Sequence, residues 1–164
     1  VKRSFDFWVR TLNLVLLAGL LAGFSNLVHP RRIPWRQDWG RHVEALAIKA
    51  GVPVLPLPVA VARFQRKQAV FVDARPEMEF VGRHIPGSVS LPVEQFYGMP
   101  ETVERLLFSG AELIFYCSGR LCDDALLVAT RFKEAGYGRV ALFADGLEGW
   151  VKHGFPVEES AVDR

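Results

Sequence analysis

The hydrophobic pattern changes character twice along the chain, and each regime predicts a different kind of element. Thr11 to Val28 carries no charge and is interrupted only by Thr11, Asn13, Ser25 and Asn26. A helix over this range reaches ~27 Å, close to the hydrocarbon thickness of a bilayer. From Asp38, read as an N-cap, the apolar positions Trp39, Val43, Leu46 and Ala50 recur at helical spacing, with Gly51 as the stop. From residue 52 onward, short unbroken apolar runs alternate with stretches of helical period. The runs are Val52 to Leu57, limited to an edge by its prolines, then Ala69 to Asp73, Ser88 to Leu91, Leu113 to Tyr116 and Arg139 to Phe143. The helical stretches are Val59 to Arg66, Pro76 to about Arg83, Glu101 to Phe108, Ala125 to Gly136 and Leu147 to His153. Apolar runs without polar alternation are what strands buried on both faces require, so the pattern predicts an α/β fold with a parallel sheet between helices.

The organisation that follows is an N-terminal tail (1–10), a transmembrane helix (11–28), a juxtamembrane linker and helix (29–51), an α/β domain (52–159) and a C-terminal tail (160–164). The flanks of the apolar segment fit a span. Phe5, Phe7 and Trp8 precede it with Lys2, Arg3 and Arg10; Trp35 and Trp39 follow it with Arg31, Arg32 and Arg36. Pro30 and Pro34 then break the helix. No small-residue cleavage site stands out before the arginines, so the segment is expected to remain as a single-pass anchor of the cell membrane. With so short a tail, the N-terminus is placed in the cytoplasm and the soluble domain on the extracytoplasmic side. Gly19 and Gly23 form a GxxxG through which two such helices could pair as a homodimer.

Composition narrows the chemistry. A net charge of +2 with scattered basic residues excludes a nucleic-acid footprint. Cys117 and Cys122 are the two cysteines of the chain, which rules out a disulfide scaffold; with no paired histidine spacing, no metal site is expected. The candidate chemistry lies in Glu112 to Asp124, ELIFYCSGRLCDD, where a buried strand ends at Cys117 and a helix begins soon after. Open α/β sheets place ligands outside the carboxyl ends of their strands, where helix amides can stabilise a thiolate or an anion. Ser118 and Gly119 are small enough for the backbone to curl around the cysteine, and Arg120 is the one cation of the loop. Arg120 is expected to lower the thiol pKa or to bind an anionic donor.

Five segments in order resemble the rhodanese (sulfurtransferase) domain. They are VDARPEMEF (Val72 to Phe80), HIPGSVSLP (His84 to Pro92), IFYCSG (Ile114 to Gly119), AGYGRVALFADGLEGW (Ala135 to Trp150) and HGFPVE (His153 to Glu158). The resemblance covers roughly residues 53–159. It implies a five-stranded parallel sheet with helices on both faces, Cys117 as nucleophile, and transfer of sulfane sulfur through a cysteine persulfide. It also implies no metal or organic cofactor, and a small sulfur-containing substrate or a protein thiol as acceptor. The anion-binding loop would be Ser118, Gly119, Arg120, Leu121 and Cys122, with Asp73 and Arg75 as a supporting ion pair or Arg75 meeting Glu79.

This loop departs from the family pattern. Cys122 stands where many active members have arginine, and about two extra residues separate the cysteine from the helix end, predicting a wider cradle or an extra helical turn. Asp123 and Asp124 at the helix start suit its dipole but oppose a second anion on Cys117, so the thiol is expected to be less acidic than in arginine-bearing relatives. Cys122 is either a redox partner of Cys117 or a small apolar residue packing on the first turn. His84, before a Pro-Gly turn, is read as structural, and Gly146, Gly149 and Trp150 as shaping the last turn and packing the last helix. Three functions remain open: a membrane-anchored sulfurtransferase, a dithiol redox or oxyanion-handling enzyme using both cysteines, and a non-catalytic binding module.

Overall fold

A computed structural model describes residues 2–29 and 41–159. The expectations for Pro30, Pro34, the Arg31, Arg32, Arg36, Trp35 and Trp39 flank, the Asp38 cap and the tail 160–164 fall outside these residues. The chain divides into two compact units, Val1–Gln37 and Asp38–Arg164. In the first, α1 (Lys2–Val28) is a continuous helix, long and apolar enough from Phe7 to Val28 to cross a membrane. Leucines such as Leu12, Leu16 and Leu20 lie exposed along it.

The second unit alternates as its apolar runs demand: α2 (His42–Ala50), α3 (Leu57–Gln65), β1 (Ala69–Asp73), α4 (Glu77–Gly82) and β2 (Val89–Ser90) come first. They are followed by a 3₁₀ turn (Val93–Gly98), α5 (Pro100–Leu107), β3 (Glu112–Tyr116), α6 (Asp124–Glu134), β4 (Val140–Phe143) and α7 (Gly146–Lys152). The strands form one parallel sheet in the order β2-β1-β3-β4. The fifth position, expected over Val52 to Leu57, is reduced to a parallel bridge between Val54 and Leu142. Leu55 N–H donates to the Leu142 carbonyl and Leu142 N–H to the Pro53 carbonyl, each at 2.8 Å. Pairing stops there because Pro53 and Pro56 have no N–H to offer and Pro56 already caps α3. The 3₁₀ turn has no apolar period and left no signal in the sequence pattern.

Successive residues of a strand point to opposite faces. Leu113, Phe115 and Cys117 therefore face one core, which they share with Val72, Leu142, Val128 and Phe132. Ile114 and Tyr116 face the other, with Phe71, Phe143, Leu147 and Trp150. Trp150 meets Phe64, Phe71, Phe143 and Phe155 at ring separations of 5.1 to 6.2 Å and donates its indole N–H to the Pro156 carbonyl. Helix α2, read from the sequence within a juxtamembrane linker, packs into the first core through Val43 and Ala47. Its C-terminus closes on Gly51 in the left-handed conformation, and Lys133 of α6 donates to the Ala50 and Gly51 carbonyls at 2.7 Å.

Candidate active site

The site is built where β3 runs out. Tyr116 is the last residue paired to β1 and β4, and Cys117 continues the strand's direction into the α6 side of the core, at 3% exposure. The chain then turns outward through Ser118, Gly119, Arg120 and Leu121, closing a turn in which Cys122 N–H donates to the Gly119 carbonyl at 3.1 Å. Helix α6 begins only at Asp124. The extra length is therefore spent in a wider loop and adds no helical turn. Two amides at the start of α7 hold this loop from the side: Leu147 N–H donates to the Cys117 carbonyl and Glu148 N–H to the Ser118 carbonyl, both at 2.9 Å. Gly146 makes the approach feasible. Its φ is +59°, and a side chain there would overlap the Cys117 carbonyl oxygen and the Gly119 nitrogen. With the carbonyls so tied, the amides of Ser118, Gly119 and Leu121 make no backbone hydrogen bond among the described residues. Such a run of unpaired N–H groups is what an anion-binding loop offers.

Cys117 and Cys122 are joined in a disulfide, with their Cα atoms 6.1 Å apart. Cys122 is half-buried and lies over Cys117, so the outer sulfur is the one that solvent approaches. Oδ2 of Asp124 sits 3.4 Å from the Cys122 sulfur and 3.9 Å from the Cys117 sulfur. Burial pushes the Asp124 carboxyl above the ordinary range, and the charges of Glu94, Asp123 and Glu79 push it the same way. The first turn of α6 thus presents a carboxylate to the sulfurs, as the acidic helix start of the sequence leads one to expect. The two sulfurs and this carboxylate lie within 4.8 Å of one another. Sulfurs bonded to each other carry no thiolate charge with which to bind a metal.

Arg120 does not face the cysteines as a lone cation. Its guanidinium donates at 2.6 Å to Asp145, before α7, and at 2.6 Å to Glu44 of α2. Burial works against its charge, but the hydrogen bonds and charges of Asp145 and Glu44 outweigh this and raise its pKa. Its charge is thus spent on two carboxylates, which corrects the expected role in acidifying the thiol. Ser118 to Cys122 line a cleft of about 450 Å³ whose opposite wall is Asp145, Glu148, Gly149, Lys152 and His153. Among the described residues Lys152 has no ion-pair partner, so it is the cation this cleft offers an incoming anion. Sequence reasoning missed Lys152, although its place four residues after Glu148 puts both on one face of α7.

Asp73 and Arg75 occupy the neighbouring strand end as an ion pair. Arg75 Nε donates to both Asp73 carboxylate oxygens at 2.9 and 3.1 Å, and Nη2 donates to Oδ2 at 2.6 Å and to the Arg83 carbonyl at 2.7 Å. Both side chains are buried. Desolvation opposes the Arg75 charge, and the hydrogen bonds and charge of Asp73 prevail, holding its pKa above the usual value. Arg75 also reaches Glu79 at 3.5 Å, and Glu79 accepts from the Ser118 hydroxyl at 3.3 Å. The pair therefore touches the loop through one intermediate carboxylate. His84 is held away from the sulfurs: Nδ1 contacts the Phe80 carbonyl at 2.7 Å, Nε2 the Glu158 carboxylate at 3.2 Å, and the ring stacks on Phe80. The Tyr116 hydroxyl is sealed between Ile85 N–H and Ser88; burial, then the Asp73 charge, pushes its pKa far up, so it stays neutral.

The model of the Rhodanese-like domain matches residues 58–153. The HTH-type transcriptional regulator Rv0324 of Mycobacterium tuberculosis is 32% identical over 104 residues, which are 60% of this chain and 42% of that protein. The thiosulfate:glutathione sulfurtransferase of Saccharomyces cerevisiae is 34% identical over 95 residues, 52% of this chain and 66% of the relative. The chain thus spans less than two thirds of either relative's length. Among solved structures, the BH2092 protein from Bacillus halodurans superposes with a TM-score of 0.60 at 24% identity, covering 73% of this chain and 85% of its own, a likeness of fold.

Proposed function

Because the chain belongs to the rhodanese-like domain family, we propose that it is a membrane-anchored sulfurtransferase that carries sulfane sulfur as a persulfide on Cys117. The observation that supports this reading is the loop after β3, where a cysteine at a strand end is followed by Ser118, Gly119 and Leu121, whose amides make no backbone hydrogen bond among the described residues. Those donors suit the anionic outer sulfur of a persulfide. In the reaction, the disulfide is first reduced by an external dithiol, which frees Cys117. The Cys117 thiolate then attacks the sulfane sulfur of a donor such as thiosulfate, forming Cys117–S–S⁻ as the donor's S–S bond breaks and sulfite leaves. A thiophilic acceptor takes the outer sulfur and returns the thiolate. Lys152 is positioned to draw the anionic donor into the cleft. Helix α1 supplies the anchor by its length and apolar surface. The disulfide favours an extracytoplasmic position for the domain, where such bonds persist.

The disulfide also favours a second reading, a dithiol oxidoreductase in which Cys122 resolves what Cys117 forms. One experiment separates the two. The reduced full chain is treated with thiosulfate, and the tryptic peptide containing Cys117 is weighed for a gain of one sulfur atom. Sulfurtransferase chemistry predicts the gain in wild type and in Cys122→Ser, with loss in Cys117→Ser. Absence of the gain from both wild type and Cys122→Ser would sink the persulfide reading.

A further inference from the structure

Among the described residues Asp124 is the polar group that reaches both sulfurs, and it does so through a single oxygen, 3.4 Å from Cys122 and 3.9 Å from Cys117. We propose that Asp124 is the proton-transfer residue of this cysteine pair, relaying a proton from an attacking thiol to the sulfur that departs. The need for such a relay comes from where the departing sulfur sits. An external thiol reaches half-buried Cys122, so Cys117 is expelled, and Cys117 lies in the core at 3% exposure. A thiolate formed there would face Asp124 and, beyond it, Glu94 of the 3₁₀ turn, Asp123 beside it and Glu79 of α4. Among the described residues no lysine or arginine forms an ion pair with Asp124, and Arg120 is held by Asp145 and Glu44. A buried anion among carboxylates is disfavoured on two counts, desolvation and like charge. A proton delivered as the bond breaks lowers the cost of that departure, and the thiol gives it up again before it attacks a sulfur donor.

The step balances without charge separation. A reductant thiol R–S–H attacks the Cys122 sulfur while ionised Asp124 takes its proton. The R–S–Cys122 bond forms, the Cys122–Cys117 bond breaks, and Asp124 passes the proton to the Cys117 sulfur. The second thiol of a dithiol reductant then displaces Cys122, its proton travelling by the same oxygen. The reductant leaves as a disulfide, and the protein pair has gained two electrons and two protons. The upward push on the Asp124 carboxyl brings its acidity nearer to that of a thiol, which favours transfer in both directions.

The alternative, that Asp124 is only a neighbouring charge, makes the opposite prediction. The test is the rate at which dithiothreitol reduces the Cys117–Cys122 disulfide in the full-length protein, followed by alkylation and mass, over a pH series. A relay predicts that Asp124→Asn is about 10²-fold slower, that Asp124→Glu restores most of the rate, and that the pH profile changes. Wild type should rise less steeply with pH than the thiolate fraction of dithiothreitol, and Asp124→Asn should follow that fraction. A neighbouring charge predicts a faster Asp124→Asn, because the approaching thiolate meets one fewer anion. An unchanged or faster rate overturns the proposal. Dithiothreitol carries no sulfane sulfur, so this result stands or falls apart from the persulfide measurement.

Discussion

The ends of β1 and β3 lie side by side in register, Asp73 opposite Tyr116, and they are finished in opposite ways. After β1, the polar groups find partners. Asp73 and Arg75 bond through three side-chain contacts, Arg75 ties down the Arg83 carbonyl, and the Asp73 and Tyr116 carbonyls accept from Leu91 and Ala74. After β3, the carbonyls of Cys117 and Ser118 are held, but among the described residues the amides of Ser118, Gly119 and Leu121 have no backbone partner and Asp124, against the sulfurs, has no ion-pair partner. The difference shows how a small sheet sustains an unsettled group. One strand end is over-determined, and the loop beside it is clamped from the α7 side by the backbone and from the α4 side by Glu79 and Ser118. The reactive end is thus free to lack partners without being free to move.

Breaking the settled end should have the largest effect. Asp73→Ala leaves a buried guanidinium without its carboxylate, for which a loss of ~3–5 kcal/mol is expected, read as a shift in the denaturant midpoint. A loss no larger than that of an exposed ion pair would show that Arg75 finds solvent and that the end is not closed. A smaller loss is expected at the clamp. Gly146→Ala places a Cβ against the Cys117 carbonyl at a positive φ, which should destabilise by ~1–2 kcal/mol and displace the loop. The same variant should therefore lose persulfide loading out of proportion to its stability, and unaltered loading at full occupancy of the fold would mean that the clamp is dispensable.

The smallest effect sharpens the comparison from the unsettled side. Because the folded chain holds the Asp124 proton more tightly than the unfolded chain does, stability falls as pH rises from the ordinary carboxylate range through the raised folded value. Asp124→Asn removes that penalty. Its melting temperature should exceed that of wild type at neutral pH, and the gain should vanish on acidification below the ordinary carboxylate range. A gain that persists in acid would assign it to packing.

Much of this arrangement was legible in the sequence because it rests on local rules. Unbroken runs such as Ala69 to Asp73 and Leu113 to Tyr116 suit strands covered on both faces, and Pro76, whose φ is fixed, marks the start of α4, which it caps. The cysteine loop was found from one abrupt change of period. What escaped notice depends on distant partners. Arg120 looked like the loop's free cation until Glu44 and Asp145, far along the chain, closed on it. Asp123 and Asp124 are legible as acids at a helix start that oppose an anion on Cys117, but nothing in their spacing shows that one oxygen of Asp124 lies near both sulfurs. The edge strand was overestimated because Val52, Val54 and Leu55 supply apolar side chains while the prolines between them remove the donors a ladder needs.

The Arg120–Glu44 contact reaches outside the segment that defines the family, since the matched residues start at 58 and Glu44 belongs to α2. Glu44 shares the guanidinium with Asp145, so the surroundings of the cysteine loop are set in part by a helix that precedes the matched segment. Shortening the protein to its family core would remove one of the two carboxylates that hold Arg120 beside the sulfurs.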